Sequence, residues 1–149
     1  MLRLGIAVCA VGALALADGF TFTIGSPVAS QDFKAKSAAF VFRTEGCSEP
    51  AKSQIGATAE GIVKGARQSV ALKVMATSKP DVYAVYQNWG AEGDWVVSLK
   101  GTCASAAAGA IIPIGPKGFV RESSKFFPRP ATDAEIDASL KTLAQGGNK

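Results

Sequence analysis

The stretch that decides the fold runs from Asp81 to Cys103 and reads DVYAVYQNWGAEGDWVVSLKGTC. Two runs rich in aromatic and β-branched residues, Val82–Gln87 and Trp95–Lys100, flank the turn-forming segment Asn88–Asp94. Runs of this composition, bounded by glycine and polar residues, are typical of β-strands. The sequence therefore predicts a β-hairpin here, held at its far end near Cys103. The stretch predicts a local structure but indicates no catalytic or binding activity.

The overall composition is that of one globular domain with a sizeable core. The chain has 149 residues, of which 48% are apolar and 19% charged, and its formal net charge is +4. This balance excludes a disordered chain. The basic residues are scattered singly and form no stripe, so we predict that the chain does not bind nucleic acid.

The absence of histidine removes several classes of site at once. It excludes Ser-His-Asp and Cys-His nucleophiles and any zinc or copper site that needs imidazole ligands. Only two methionines occur, so a methionine-rich copper site is also unsupported. We predict no cofactor and no bound metal.

The N-terminus has the pattern of a secretory signal peptide. Arg3 is followed by an apolar run, Leu4–Leu14, and then by Ala15-Leu16-Ala17, which fits an A-x-A cleavage site. We predict a signal peptide at Met1–Ala17 and a mature protein that is secreted or periplasmic, with no transmembrane anchor after cleavage. A buried N-terminal helix and an uncleaved anchor are the alternatives, although the run is short for a bilayer span.

The mature chain would retain two cysteines, Cys47 and Cys103. An even number of cysteines in an exported protein favours a disulfide. A metal dithiolate and a redox pair are the alternatives. The first lacks further ligands, and the second lacks C-x-x-C spacing. We predict a structural bond between Cys47 and Cys103.

Short strand-like runs, broken by glycine and proline, recur along the chain and predict an all-β fold. The pattern is typical of an antiparallel sandwich or barrel, and with seven or eight strands we expect a two-sheet sandwich with a C-terminal α-helix. No tryptophan follows the first cysteine at the distance typical of immunoglobulin domains. Pro113 should restrict its strand to the edge of a sheet, or should itself lie at the end of the strand. Besides the two central runs, the predicted strands are Phe20–Ile24, Ala38–Thr44, Ala57–Val63, Ser69–Met75, Ala106–Ile114 and the shorter Phe119–Glu122. The stretch Lys64–Gln68, which contains Gly65, is predicted to be a hairpin turn.

The tail differs in character from the strands. The two prolines of Phe126–Pro130 predict an extended segment. Thr132-Asp133-Ala134-Glu135 then forms a capping box, which predicts a helix over Asp133–Gln145. Its apolar residues Ile136, Leu140 and Leu143 lie on one face. That face must be covered, either by the sandwich itself or by a partner.

These features divide the chain into three parts. We predict a signal peptide at residues 1–17, a β-sandwich domain at residues 18–125, and a proline-containing segment with the C-terminal helix at residues 126–149. The oligomeric state has no signature in the sequence.

The residues Val82–Leu99 resemble a pattern found in exported immunoglobulin-like sandwiches of the FixH-like type. The pattern is V-Y-x-V-x-x-x-W-x-x-x-G-x-W-x-V-x-L, carried here by Tyr83, Gly93, Trp95 and the residues around them. The resemblance implies that the two-sheet sandwich is immunoglobulin-like. Members of that family are typically membrane-linked accessory proteins, and some relatives handle copper. Neither role transfers to this chain, which has no histidine and no further anchoring helix, so the resemblance implies no activity.

Two groups of polar residues are candidates for a catalytic or metal-binding site. Glu92 and Asp94 flank Gly93, and such a pair of carboxylates serves acid–base catalysis or calcium binding in some proteins. No further oxygen ligand lies near them in the sequence, which favours a solvated turn. The segment Arg121–Lys125 contains serine and lysine but no S-x-x-K box, which favours a polar connection.

The aromatic residues are candidates for contact with a ligand or partner. Strand alternation places Tyr83 and Tyr86 on opposite faces, and Trp95 is expected in the core. Trp89 is expected to be the most exposed aromatic residue. The aromatic residues therefore do not all point one way, and we predict four of them as individual contacts with a ligand or partner: Trp89, Tyr86, Phe126 and Phe127.

Two functional hypotheses follow from this inventory. The first is an exported non-catalytic β-sandwich that binds or supports another component of the bacterial cell envelope, with an envelope or secreted protein as partner. The alternative is a hydrolase-type enzyme whose carboxylate or Ser/Lys site is assembled from loops. Dispersal of five carboxylates over the surface would count against the alternative: Glu45, Glu49, Glu60, Glu92 and Asp94.

Overall fold

The computed structural model describes residues 19–27 and 33–146, so the predicted signal peptide, Met1–Ala17, lies outside the described residues. Within them, neither helix has the length and apolar character that a membrane-crossing helix needs. The helices are α1 (Phe33–Lys36) and α2 (Asp133–Gly146). The strands are β1 (Thr21–Gly25), β2 (Phe40–Glu45), β3 (Gln54–Val63), β4 (Ala66–Leu72), β5 (Val74–Ala76), β6 (Val82–Val85), β7 (Asp94–Cys103), β8 (Ala106–Gly115), β9 (Gly118–Phe119) and β10 (Lys125–Phe127).

The strands form two antiparallel sheets. The smaller sheet has the order β1-β2-β6-β5, and the larger has the order β10-β8-β7-β3-β4, with β9 also paired to β8. These orders match the A-B-E-D and G-F-C sheets of an immunoglobulin domain, with β4 in the position of strand C′. The prediction of an all-β, two-sheet, immunoglobulin-like sandwich with a C-terminal helix is confirmed.

The described residues form ten strands, where the sequence predicts seven or eight. The prediction of one strand over Ser69–Met75 is wrong, because β4 and β5 lie in different sheets. The apolar alternation continues through Val70, Leu72 and Val74 with no glycine or proline between them, so the pattern does not mark the change of sheet. The predicted short strand Phe119–Glu122 overlaps β9 only at Phe119, because Arg121–Ser123 forms a 3-10 helix. β10 was not predicted as a strand and is too short to show a period.

The prediction of a central hairpin over Asp81–Cys103 is wrong. β6 pairs with β2 and β5, whereas β7 pairs with β3 and β8. Residues 86–93, hereafter the crossing segment, therefore pass from one sheet to the other. Eight residues exceed the usual two to five of a hairpin loop. Composition identified both strands correctly but could not identify their partners.

The hairpin between β3 and β4 is close to the prediction of a turn over Lys64–Gln68. The turn itself is shorter, because Ala66 already pairs with Val63. Lys64 and Gly65 have φ angles of 51° and 79°, which is the signature of a type I′ turn. This turn fixes the register of the whole β3–β4 pair.

Pro113 is accommodated because its missing N–H faces away from β7. Cys103 pairs with Ala106 across a two-residue turn, so alternate residues of β8 hydrogen-bond to β7 and Pro113 points to the other side. On that side Val120 N donates to Pro113 O at 2.9 Å. Pro113 thus lies between the residues of β8 that pair with β9 and with β10.

The main core lies between the two sheets and is rich in aromatic side chains. Phe22 packs edge-on against Phe20 and Phe42, with ring centroids 5.5 and 5.4 Å apart, and Tyr83 stacks on Phe42 at 5.4 Å. The facing sheet supplies Trp95, which is buried, and other small or aliphatic side chains. Edge-on and offset contacts of this kind stabilise aromatic pairs beyond the area that they bury.

A disulfide joins the two sheets at one end of the sandwich. Cys47 follows β2, Cys103 ends β7, and their Cα atoms are 5.7 Å apart. The predicted pairing is confirmed. A disulfide of this kind is typical of proteins that fold in an oxidising compartment.

The helix α2 packs on the outer face of the larger sheet and forms a second core. Ile136 and Leu140 of the helix contact Val96 of β7 and Ile111 of β8, and Leu143 is packed against this cluster. The residues Val96 and Val97 are both fully buried because the other sheet covers one face and α2 covers the other. Of the two predicted alternatives, the helix docks on its own sandwich.

The segment before α2 contacts the larger sheet along its length. Lys125–Phe127 adds β10 to the edge of β8, and Arg129 lies over the Phe127 ring at 5.2 Å. The chain then crosses directly above Gly109, where a Cβ atom would collide with the Arg129 carbonyl oxygen. Glycine at this position lets the linker approach the sheet closely enough for α2 to dock.

The predicted capping box opens the helix. Thr132 N donates to Glu135 Oε2 at 2.8 Å, and Glu135 N donates to Thr132 Oγ1 at 3.2 Å. Arg129 donates to both Glu135 oxygens, at 2.9 and 2.7 Å. The hydrogen bond from Arg129 and then that from Thr132 N lower the pKa of Glu135 from 4.5 to about 2.

A depressed carboxylate pKa predicts a specific pH dependence of stability. Glu135 stabilises the folded state above its ordinary pKa of 4.5, and this contribution is lost as the pH falls through about 2. We expect Glu135→Gln to lower the midpoint of urea unfolding at neutral pH and the difference from the unsubstituted protein to disappear toward pH 2. Glu122→Gln, at an exposed position of the 3-10 helix Arg121–Ser123, is the control. A difference that stays constant with pH would contradict this role.

Candidate functional site

A cleft with a volume of about 830 Å³ opens at one end of the sandwich. Its walls come from the crossing segment, the start of β7, the end of β8 with the following turn, and the C-terminal half of α2. The volume lies within the range of about 300–1,000 Å³ that is typical of ligand pockets. The crossing segment and α2 are far apart in sequence and meet only in the folded sandwich.

The floor of the cleft is apolar. It includes Trp89 and Trp95, which are only 8% and 4% exposed, together with Ile114, Phe119 and Leu143. Trp95 Nε1 donates to the Glu92 carbonyl oxygen at 2.8 Å, which fixes the indole and the crossing segment to each other. The Trp95 ring lies so close to Gly61 that a Cβ atom at Gly61 would collide with it. These two contacts fix the position of the Trp95 ring in the floor.

The rim of the cleft is polar and carries both signs of charge. Its polar side chains are Gln87, Asp94, Ser123, Lys125 and Thr142, and the buried Ser139 also lines the cleft. Gln87 Nε2 donates to the Trp89 carbonyl oxygen at 3.3 Å, and Thr142 Oγ1 donates to the Ala138 carbonyl oxygen at 3.0 Å. An apolar floor beneath a few polar groups is the usual composition of a binding site.

The structure separates the four predicted contact residues. Trp89 lines the cleft, but the expectation that it is the most exposed aromatic is wrong, because it is 8% exposed. Tyr86 is half-buried and lies outside the lining. Phe127 packs beside α2, and Phe126 is the exposed aromatic, at 46%. The four therefore do not form one platform.

The carboxylates named above have separate surroundings. Glu60 Oε2 accepts from Arg67 at 2.8 Å, and Glu60 Oε1 accepts from Ser69 at 3.0 Å. Glu49 is paired with Lys52, while Glu92 lies exposed beside the cleft. Across the described ranges, no group of three or more carboxylates or cysteines is placed to hold a metal ion.

The Arg121–Lys125 segment contributes two residues to the rim. Ser123 and Lys125 line the cleft, whereas Ser124 Oγ donates to the Val120 carbonyl oxygen at 2.9 Å. Arg121 reaches across to β1, where its Nη2 donates to the Ile24 carbonyl oxygen at 2.8 Å. The segment thus closes one side of the sandwich as well as bordering the cleft.

Sequence reasoning missed the contribution of α2 to this site. Ser139 lies on the same helical face as Ile136, Leu140 and Leu143, and it is 6% exposed. The signal was the spacing: Ser139 lies three residues after Ile136 and four before Leu143, which places its side chain on the buried face of the helix. The contribution of Gln87 was hidden by the wrong assignment of a hairpin.

The fold and the cleft together define an immunoglobulin-like β-sandwich with a helix-covered sheet and a candidate binding site at one end. Comparison with known proteins finds no matching family model, no matching curated protein and no matching solved structure.

Proposed function

We propose that this chain is an exported, non-catalytic β-sandwich protein that acts as a binding or accessory component of the bacterial cell envelope. The observation that carries the proposal is the cleft, with its apolar floor and its polar rim of mixed charge. The disulfide between Cys47 and Cys103 supports a location outside the cytoplasm. Export through the signal peptide at Met1–Ala17 and the resemblance to FixH-like sandwiches are parts of this proposal.

The occupant that we propose is a segment of an envelope or secreted protein. An apolar side chain of that segment would contact the floor formed by Trp89, Ile114 and Leu143. Its backbone amides would find donors and acceptors at Gln87 and Thr142, since a peptide carries both kinds of group. A buried aromatic or aliphatic side chain surrounded by polar contacts is the common form of a protein-binding hot spot.

Filling the cleft should abolish this interaction. Thr142 is exposed and lines the cleft, so Thr142→Trp places an indole across the opening. Lys141→Trp is the control, because it adds the same indole at an exposed position that does not line the cleft. We expect a partner to co-purify from the native envelope in stoichiometric amount with the unsubstituted protein and with Lys141→Trp. We expect at least about a tenfold loss with Thr142→Trp, equivalent to about 1.4 kcal/mol. Equal recovery with both variants would contradict the proposal.

The hydrolase alternative rests on one observation, which is that Ser123 and Lys125 both line the cleft. Ser–Lys pairs act as nucleophile and base in some hydrolases. That function would require ester or peptide hydrolysis by the purified protein that is lost in both Ser123→Ala and Lys125→Ala. Hydrolysis that met this criterion would replace the binding proposal.

A further inference from the structure

The strand β4 is the longest free edge of the sandwich. In the described part of the chain it pairs only with β3, and five of its seven residues are exposed. The other edge strands are shorter: β1 has five residues, and β5 and β10 have three each. None of the β4 residues lines the cleft, so this edge is a separate surface.

The turn at Lys64-Gly65 determines which backbone groups of β4 are free. Because the turn has two residues, Val63 and Ala66 hydrogen-bond to each other. Alternate residues of β4 then bond to β3, and the residues between them direct their N–H and C=O groups outward. The outward residues are Arg67, Ser69 and Ala71.

The usual protection of a free edge is missing from β4. Natural edge strands are commonly protected by proline, lysine, a bulge or a short length. β4 contains no proline and no lysine, and its one charged residue, Arg67, is held by Glu60 at 2.8 Å and by Asp137 at 3.1 Å. The charge of Arg67 is therefore directed onto the chain's own carboxylates.

We infer that two copies of this chain associate edge to edge through β4, antiparallel about a twofold axis at Ser69, so that the two larger sheets become one. In this register, Ser69 lies opposite Ser69 of the second copy and Arg67 lies opposite the second copy's Ala71. All outward backbone groups of Arg67, Ser69 and Ala71 then find partners. The half-buried Val70 and Leu72 gain cover from the second copy.

Charge and the length of the ladder together select this register over its neighbours. Axes at Gln68 and Val70 would place Ala71 opposite Gly65 and Arg67 opposite Lys73, which both lie outside β4. An axis at Arg67 would place two guanidinium groups directly opposite each other, which destabilises a strand pair. An axis at Ala71 would place Ser69 opposite Lys73, which lies beyond the end of β4, and would shorten the ladder. Only the axis at Ser69 keeps every pair within β4 and free of like charges.

The first test removes one outward donor without disturbing the β3–β4 pair. Ser69→Pro removes an N–H that faces away from β3, at a position where an edge strand tolerates proline. Ser69→Ala is its matched control, because both variants lose the hydrogen bond from Ser69 Oγ to Glu60. By sedimentation equilibrium at micromolar concentration, we expect the unsubstituted protein and Ser69→Ala to be dimers and Ser69→Pro to be a monomer. A monomeric unsubstituted protein, or a dimer that survives Ser69→Pro, would overturn the inference.

The second test reports on the register and does not depend on whether Ser69→Pro folds. Ala71→Arg places a like charge opposite Arg67 of the second copy, and the twofold axis repeats this contact. We expect the dissociation constant of the dimer to rise about tenfold for Ala71→Arg and to stay equal or fall for Ala71→Glu. An equal change for both variants would show that Arg67 and Ala71 do not meet, and would overturn the proposed register.

Discussion

Leu140→Ala should lower the free energy of unfolding by about 2–5 kcal/mol, the range for truncating a buried leucine. Leu140 is fully buried, and it contacts the cluster that joins α2 to the larger sheet through Val96 and Ile111. The loss combines removed apolar contact with the cavity left behind. A helix of this length is marginal on its own, so its order depends on this contact.

The measurement is urea unfolding followed by far-ultraviolet circular dichroism. Lys141→Ala is the control, since this neighbouring residue is exposed and an exposed substitution changes stability by no more than about 0.5 kcal/mol. If Leu140→Ala unfolded at the same urea concentration as Lys141→Ala, α2 would not be docked on the sheet in solution. The partner-bound alternative for the helix would then be preferred.

Replacing both Cys47 and Cys103 by serine should cost on the order of 4 kcal/mol. The bond closes a loop with a sequence separation of 56 residues, and the chain-entropy model gives about 4 kcal/mol for a loop of that size. It also joins the end of β2 in one sheet to the end of β7 in the other. Because Cys103 is 3% exposed, serine there also leaves a hydroxyl in an apolar environment.

The measurement is the free energy of unfolding with and without reductant. We expect reduction to destabilise the unsubstituted protein strongly and to have no effect on the double variant, which contains neither cysteine of the bond. A double variant as stable as the oxidised protein would contradict a structural role for the disulfide.

Local chemistry made the helix, the turn and the disulfide predictable from the sequence. Thr132 and Glu135 form the capping box where the spacing predicts it, and α2 ends one residue beyond the predicted Gln145. The turn at Lys64-Gly65 lies within the predicted Lys64–Gln68, and Cys47 and Cys103 are paired. The capping box and the turn each depend on residues that are close together in the sequence. The disulfide follows from the even number of cysteines that remain after the predicted signal peptide.

Strand partners were less predictable, because alternation identifies a strand without identifying its neighbour. The pattern of Val82–Val85 and Trp95–Leu99 is the same whether the two strands pair or lie in opposite sheets. The eight residues between β6 and β7 allow the chain to cross, and Trp89 becomes buried where it crosses. The change of sheet between Leu72 and Val74 has no turn residue to mark it.

The candidate site was the least predictable feature. It combines the crossing segment, the end of β8 and the last turns of α2, which are brought together only by the sheet topology. Among the predicted contact residues only Trp89 belongs to it, and it contributes a buried wall instead of an exposed platform. A site assembled from distant segments has no motif in the sequence.

The most direct test of the proposed binding role is photocrosslinking in the native envelope. A photoreactive amino acid is placed either at Thr142, which lines the cleft, or at Lys141, which is exposed outside it. We expect one discrete adduct with an envelope or secreted protein from position 142 and none from position 141. Identical adducts from both positions, or no adduct from position 142, would contradict it.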